Sequence, residues 1–153
     1  MARIDDIPEP TRSAILALEI RQAESQPFVA GQALSRRRVA MVSSAALIRR
    51  GEGPFLPGTA EFRALPETLP AGDILMSHVS INYDRAGWQR DINTIYPIDR
   101  LRELAADGTI GAVADTHYSV MGSTDPATMT RTADAMAAAM LTEGVNAVLL
   151  SPV

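Results

Sequence analysis

His78 in MSHVS and His117 in DTHYS are the two imidazoles of the chain. Imidazole is the side chain best suited to exchanging a proton near neutral pH, and in α/β proteins the loops after strands are where such groups work. Each histidine follows a short apolar run and stands among small or hydroxyl residues, which matches that setting. The plainer alternative is that each ring only ties its loop to a neighbouring backbone. Asp84, in INYDRAG, is the third catalytic candidate. His78, Asp84 and His117 together would also make a metal set, but no close ligand spacing such as His-x-x-x-His is present, so no metal is expected.

Other chemistries are excluded or disfavoured by composition. The chain has no cysteine, and all 14 of its basic residues are arginine. That removes disulfides, thiolate ligands, a cysteine nucleophile and a Schiff-base lysine from these 153 residues. Ser43 and Ser44 follow an apolar run without the G-x-S-x-G context of a hydrolase elbow. RRGEGP has neither G-x-G-x-x-G spacing nor a P-loop lysine, so no phosphate motif or bound cofactor is expected in the chain. Asp91 and Asp99 flank a helix start and fit capping better than catalysis.

At 46% hydrophobic and 21% charged residues with a net charge of −4, the chain has globular composition and no general electrostatic reason to bind nucleic acid or an anionic membrane. MARIDDIPEP is too charged for a signal peptide, and no apolar run approaches the ~18 residues of a membrane span. A cytoplasmic location is the expectation.

The elements that must hold these residues alternate. TRSAILALEIRQAE carries a helical stripe, with Thr11 as its N-cap. RRRVAMVSSAAL holds a buried strand at Val39–Val42 feeding a tight turn, and IRRGEGPFLPG a loop. EFRALPE and GDILMSHVS offer two further short strands. INYDRAGWQRDINTIY has no clear period and is expected to be a long ordered loop with at most one helical turn. Pro97 starts a helix at N1, closed by Asp107 and Gly108. TIGAVA is a candidate strand and HYSVMGSTDP a second irregular segment. Asp125 and Pro126 then begin a helix whose Met129, Met136 and Met140 face the core, and Gly144 ends it. The run AVLL at 147–150 has the pattern of a buried parallel strand. This alternation predicts one α/β domain over 1–153, a mainly parallel sheet flanked by helices in three layers, Rossmann- or flavodoxin-like. Ligands of such sheets gather beyond the carboxyl ends of the strands.

Five segments in order, RVAMVSSAAL, SHVSINYDR, DINTIYPIDRLRELAADGTIG, HYSVMG and EGVNAVLLSPV, resemble the selenoprotein B family of glycine, sarcosine, betaine and D-proline reductases. The resemblance covers roughly residues 38 to 153. It implies an oxidoreductase subunit that cleaves a C–N bond of a small amine or amino acid derivative reductively. It also implies that AVLLSPV is followed by selenocysteine, or by cysteine in its place. Selenocysteine is encoded by UGA, so the resemblance implies a longer selenoprotein whose C-terminal part, redox residue included, is missing here. A dithiol would supply electrons, a pyruvoyl group on a partner subunit would hold the amine, and His78 and His117 would act as proton donors or substrate ligands.

Two other classes remain open on sequence. One is a non-catalytic α/β module that binds a small molecule or another protein through the SSAAL and SHVS loops. The other is a cofactor-independent isomerase or lyase with His78 and His117 as an acid and base pair. If the final strand lacks its following helix, an apolar patch is left bare and favours self-association into a homo-oligomer.

Overall fold

The structure, a computed structural model, describes residues 4–17, 29–80, 83 and 85–153. The chain divides into two compact units, residues 1–30 and 31–153. In the first unit, helix α1 (Thr11–Leu16) occupies the start of the predicted stripe, and residues 18–28 lie outside the described residues. Thr11 is the first helical residue rather than the cap. The Glu9 carboxylate takes that role, accepting from the Ser13 N–H at 3.2 Å and the Ser13 hydroxyl at 2.6 Å.

The second unit is built on β1 (Arg38–Ser43), as the run of small and β-branched residues there predicts. The element order continues with β2 (Leu47–Arg49), β3 (Phe62–Pro66), β4 (Ile74–Met76), α2 (Ala86–Arg90), α3 (Ile98–Ala106), β5 (Ala112–Val113), β6 (Thr116–Val120), α4 (Thr130–Thr142) and β7 (Ala147–Ser151). β7 pairs with β1 in parallel along Val39–Ser43. The other side of β1 is shared: β5 pairs at Arg38 and Val39, and β6 at Val42 and Ser43, both in parallel. β3 runs antiparallel along the outside of β6. β2 and β4 form a separate antiparallel ribbon.

Both faces of this sheet are covered near β1, because successive side chains point to opposite faces. Val39 and Met41 pack with Ile95, Tyr96, Ile98 and Leu101 from α3 and the turn before it. Ala40 packs with Tyr118, Val120, Met136 and Met140, the last two from α4. Helices therefore lie on either face of a mainly parallel sheet, the predicted α/β architecture. Gly144 ends α4 at φ +77°, and the Val145 N–H reaches back to the Met140 carbonyl at 2.9 Å, the bond pattern of a left-handed helix stop.

Further details of this unit differ from the sequence expectation, the helix starts among them: Pro97 is the cap of α3 rather than its first residue, and Asp125 caps a 3-10 turn, Pro126–Thr128, ahead of α4. HYSV is not irregular: it forms β6, with His117, Tyr118, Ser119 and Val120 all buried. Ile48 and Arg49 belong to β2, so the loop begins two residues later than predicted. The INYDRAGWQRDINTIY segment contains both α2 and a 3-10 turn at Ile92–Thr94, while Ile81, Asn82 and Asp84 lie outside the described residues. β7 is parallel as expected but sits at the sheet edge, where Val148, Leu149 and Leu150 are 45%, 38% and 67% exposed.

Candidate functional site

Three serines form one row across the carboxyl end of the parallel sheet. Ser43 is in register with Ser119 on β6 and with Ser151 on β7. Equal register in parallel strands puts the three side chains on the same face. The Ser43 and Ser151 hydroxyls both donate to the Ile95 carbonyl, at 2.8 and 3.0 Å. The Ser119 hydroxyl accepts from the Leu47 N–H at 2.7 Å and donates to the Ser43 carbonyl at 3.1 Å. These bonds tie the ends of β1 and β7 to the turn before α3, and the end of β6 to β1 and the start of β2. Hydroxyls suit the position because each can accept from one backbone group and donate to another.

Ser44 extends the row. Its N–H donates to the Ser151 carbonyl at 3.1 Å, its carbonyl accepts from the Gly122 N–H at 3.0 Å, and its hydroxyl accepts from the Val153 N–H at 2.9 Å. A Cβ at position 122 would lie 2.7 Å from the Ser44 carbonyl oxygen, so glycine is what allows the two backbones to meet. Directly after Ser44 the chain turns sharply. Ala46 has φ 53°, rare for a residue with a Cβ, and its carbonyl accepts from the Ser77 N–H at 2.9 Å. That bond brings the His78 loop beside the end of β1.

His78 is 9% exposed, and its Nδ1 accepts from the Ser80 N–H at 3.1 Å. The proton of the neutral ring is therefore on Nε2, which is buried with no partner among the described residues. Burial, and then the nearby Arg85 guanidinium, hold its pKa below the ordinary imidazole value. Arg85 itself donates to the His78 and Ser80 carbonyls at 2.8 and 3.2 Å, and the Tyr83 ring lies 6.1 Å from the imidazole. The result is a neutral ring whose free group is a donor.

His117 is placed differently. It lies inside β6, two residues before Ser119, and is fully buried. Between the β5 and β6 pairings the parallel ladder is interrupted, and there the Met41 N–H donates to His117 Nδ1 at 3.0 Å. The ring stacks edge-on against Tyr96, with centroids 5.8 Å apart. Burial pushes its pKa down to about 4, so it too is neutral with its proton on Nε2. His117 Nε2 and the Tyr96 hydroxyl are both buried with no partner among the described residues, and burial raises the Tyr96 pKa.

The two histidines predicted together from sequence are thus held apart in role. Among the described residues no hydrogen bond or ring contact joins them, and no group of three His, Cys, Asp or Glu is arranged to hold a metal. Asp84 lies outside the described residues. Asp91 caps a 3-10 turn through the Asn93 N–H at 2.9 Å, as the capping reading expects, whereas Asp99 makes no cap bond and instead pairs with Arg102 within the first turn of α3. Ser119 and Ser151 were not singled out in the sequence. Their signal was present all the same, as a serine near the end of each of three runs, RVAMVSS, THYSV and AVLLS. A cleft of about 590 Å³ between β3 and α4, walled by Arg63 and Arg131, contains none of these groups.

Fold and site define an α/β protein whose polar groups converge on the carboxyl edge of a parallel sheet. The model of the family described as glycine/sarcosine/betaine reductase selenoprotein B matches residues 67–153, more than half of the chain. The chain belongs to that family. It is 34% identical over 116 residues to the D-proline reductase subunit gamma of Acetoanaerobium sticklandii, an alignment covering 74% of this chain and 47% of the relative. It is 27% identical over 125 residues to the glycine reductase complex component B subunit gamma of Carboxydothermus hydrogenoformans, covering 77% of this chain and 28% of that one. The chain thus spans less than half the length of either relative. No solved structure matches it.

Proposed function

We propose that this chain is part of a reductase subunit that cleaves a C–N bond of a small amine or amino acid derivative, using a selenocysteine or cysteine that follows β7 in a longer polypeptide. The observation that carries this reading is the serine row. β7 ends in register with β1, and Ser43, Ser44 and Ser151 gather hydrogen bonds at that one edge. A group emerging there would stand where ligands of parallel sheets collect. Both relatives are named as subunits of reductases, which supports a role within a complex.

The overall change balances without an external oxidant. The carbon–nitrogen bond of R–CH2–NH3⁺ breaks, the carbon gains a hydrogen, ammonium leaves, and a dithiol donor of two electrons and two protons becomes a disulfide. The chain's own contribution is positional. His78 holds a neutral ring beside the β1 turn with its Nε2–H buried, so it would shape the loop around a substrate. Condensation with a substrate amine needs a carbonyl that no unmodified side chain supplies, so that capture would fall to a group such as a partner's pyruvoyl. A dithiol donor fits a reducing, cytoplasmic setting.

The test is the intact mass of the protein purified from its source, followed by assay with its partner subunits. Glycine, sarcosine, betaine and D-proline would each be offered with a dithiol, before and after treatment with iodoacetamide. The expected result is a chain heavier than 153 residues with a selenol or thiol after Val153, and alkylation-sensitive C–N cleavage of one substrate, read as release of an amine or, for cyclic D-proline, as ring opening. A mature chain ending at Val153 would overturn the reading and favour the non-catalytic binding module.

A further inference from the structure

Arg38, Arg49, Arg50, Arg63, Arg100 and Arg102 of the second unit each form an ion pair with a carboxylate. Arg85 forms none among the described residues, although it is half-buried. Arg36, Arg90 and Arg131 also lack a carboxylate there, but they are exposed to water, which solvates a guanidinium well. Arg37 lies at the amino end of the sheet, against the Asn146 carbonyl. A cation partly withdrawn from water gains more from an anion than an exposed one does, because its field is screened less. Arg85 is thus a charge suited to a partner that the fold does not supply.

Its position is set by backbone bonds. Arg85 Nη2 donates to the His78 and Ser80 carbonyls at 2.8 and 3.2 Å, and the Ser77 N–H holds the same loop to the Ala46 carbonyl at 2.9 Å, just after β1. The guanidinium is thereby fixed beside the carboxyl edge of the parallel sheet, where ligands of such sheets collect. A guanidinium has five donors, and Nη2 spends its own on those two carbonyls, so the hydrogens of Nε and Nη1 stay available. Neither nitrogen is among the buried polar atoms without a partner, so both are open to solvent. Resting on the reading of the preceding subsection, we infer that Arg85 binds the carboxylate of the substrate through these donors and so selects substrates that carry one. The two carbonyls hold the charge in place beforehand, which lowers the ordering cost of binding.

The experiment uses the full-length protein with its partner subunits, and two probes of like shape, acetate and the uncharged acetamide. Acetate should move the Arg85 Nε–H resonance, assigned by its loss in Arg85→Lys, and should inhibit turnover, whereas acetamide at the same concentration should do neither. Arg85→Gln should raise KM by about 10–100-fold, the worth of a charge-assisted hydrogen bond, and by more than kcat falls. Arg85→Lys keeps the charge and should recover part of that loss. The resonance is read on the native protein, so a variant that fails to fold does not remove the test. Equal responses to acetate and acetamide, or a KM for Arg85→Gln within about twofold of native, overturn the inference while the reductase reading stands. Absence of C–N cleavage from every substrate overturns that reading and the substrate role with it, and the resonance then still decides whether Arg85 is a carboxylate site.

Discussion

β6 and β7 flank the same central strand in the same direction, yet they invert the usual relation between residue type and burial. β6, THYSV, has polar letters and is buried at His117, Tyr118, Ser119 and Val120. β7, AVLLS, is apolar and exposes Val148, Leu149 and Leu150. The difference comes from what lies around each strand. β6 has a strand on either side, β1 and β3, and helical layers over both faces. β7 has β1 on one side and, among the described residues, no strand on the other. Polar side chains are tolerated in β6 because each completes a backbone bond that would otherwise be missing: His117 for Met41, Ser119 for Leu47. The edge of β7 has no charged residue to guard it.

The sharpest way to break this comparison is to remove the imidazole. His117→Leu keeps the bulk but leaves the Met41 N–H without an acceptor in the core, and we expect a loss of about 2–4 kcal/mol in chemical denaturation. A loss below 0.5 kcal/mol would mean that the ring does not serve the ladder.

Nearly as large is the pH effect of the same residue. His117 titrates at about 4 when folded and near 6.5 when unfolded, so folding favours the neutral form. Its contribution is full above pH 6.5 and is lost as pH falls toward 4, up to about 3 kcal/mol in all. Denaturation midpoints measured between pH 7 and 4 should fall in the native protein, with a flatter course in His117→Leu. Parallel courses would count against a buried, neutral ring.

Ser119→Val, close in shape but unable to accept from Leu47, should cost about 1–3 kcal/mol by the same argument. The smallest expected effect is at the other strand. Leu150→Lys on β7 should change unfolding free energy by no more than about 0.5 kcal/mol, because the side chain is already two-thirds exposed. It should nevertheless reduce self-association of the 153-residue chain, visible in sedimentation. A loss of several kcal/mol there would show that β7 is covered in solution and that the contrast with β6 is smaller than described.

Most of the fold was legible in the sequence, and the exceptions share one cause. β1, α3, α4 and the Gly144 stop follow from apolar spacing and a residue suited to positive φ, which are local signals, whereas the helix starts were read one to four residues early: Pro97 is the cap of α3 and Asp125 caps a 3-10 turn, Pro126–Thr128, ahead of α4. β6 was missed although HYSV alternates polar and apolar residues; what the alternation does not show is that the polar face is buried too. Its polar side chains answer to partners 72 to 76 positions away in the chain, and no window of neighbouring residues contains them. Thr11 was misread as a cap because Glu9 reaches over it, a competition that depends on side-chain geometry. Of the site, His78, His117, Ser43 and Ser44 were visible as residue types, whereas their different roles were not.

The sequence by itself determined that this chain is α/β, that it has no cysteine or lysine to do chemistry with, and that its motifs belong with selenoprotein B reductases. Those properties are composition, periodicity and order, which a linear string contains. Only the tertiary structure decided that His117 serves the sheet while His78 stands beside the β1 turn, and that three serines meet in one row. Register between parallel strands is set by distant packing, so which hydroxyls face one another is a property of the folded sheet.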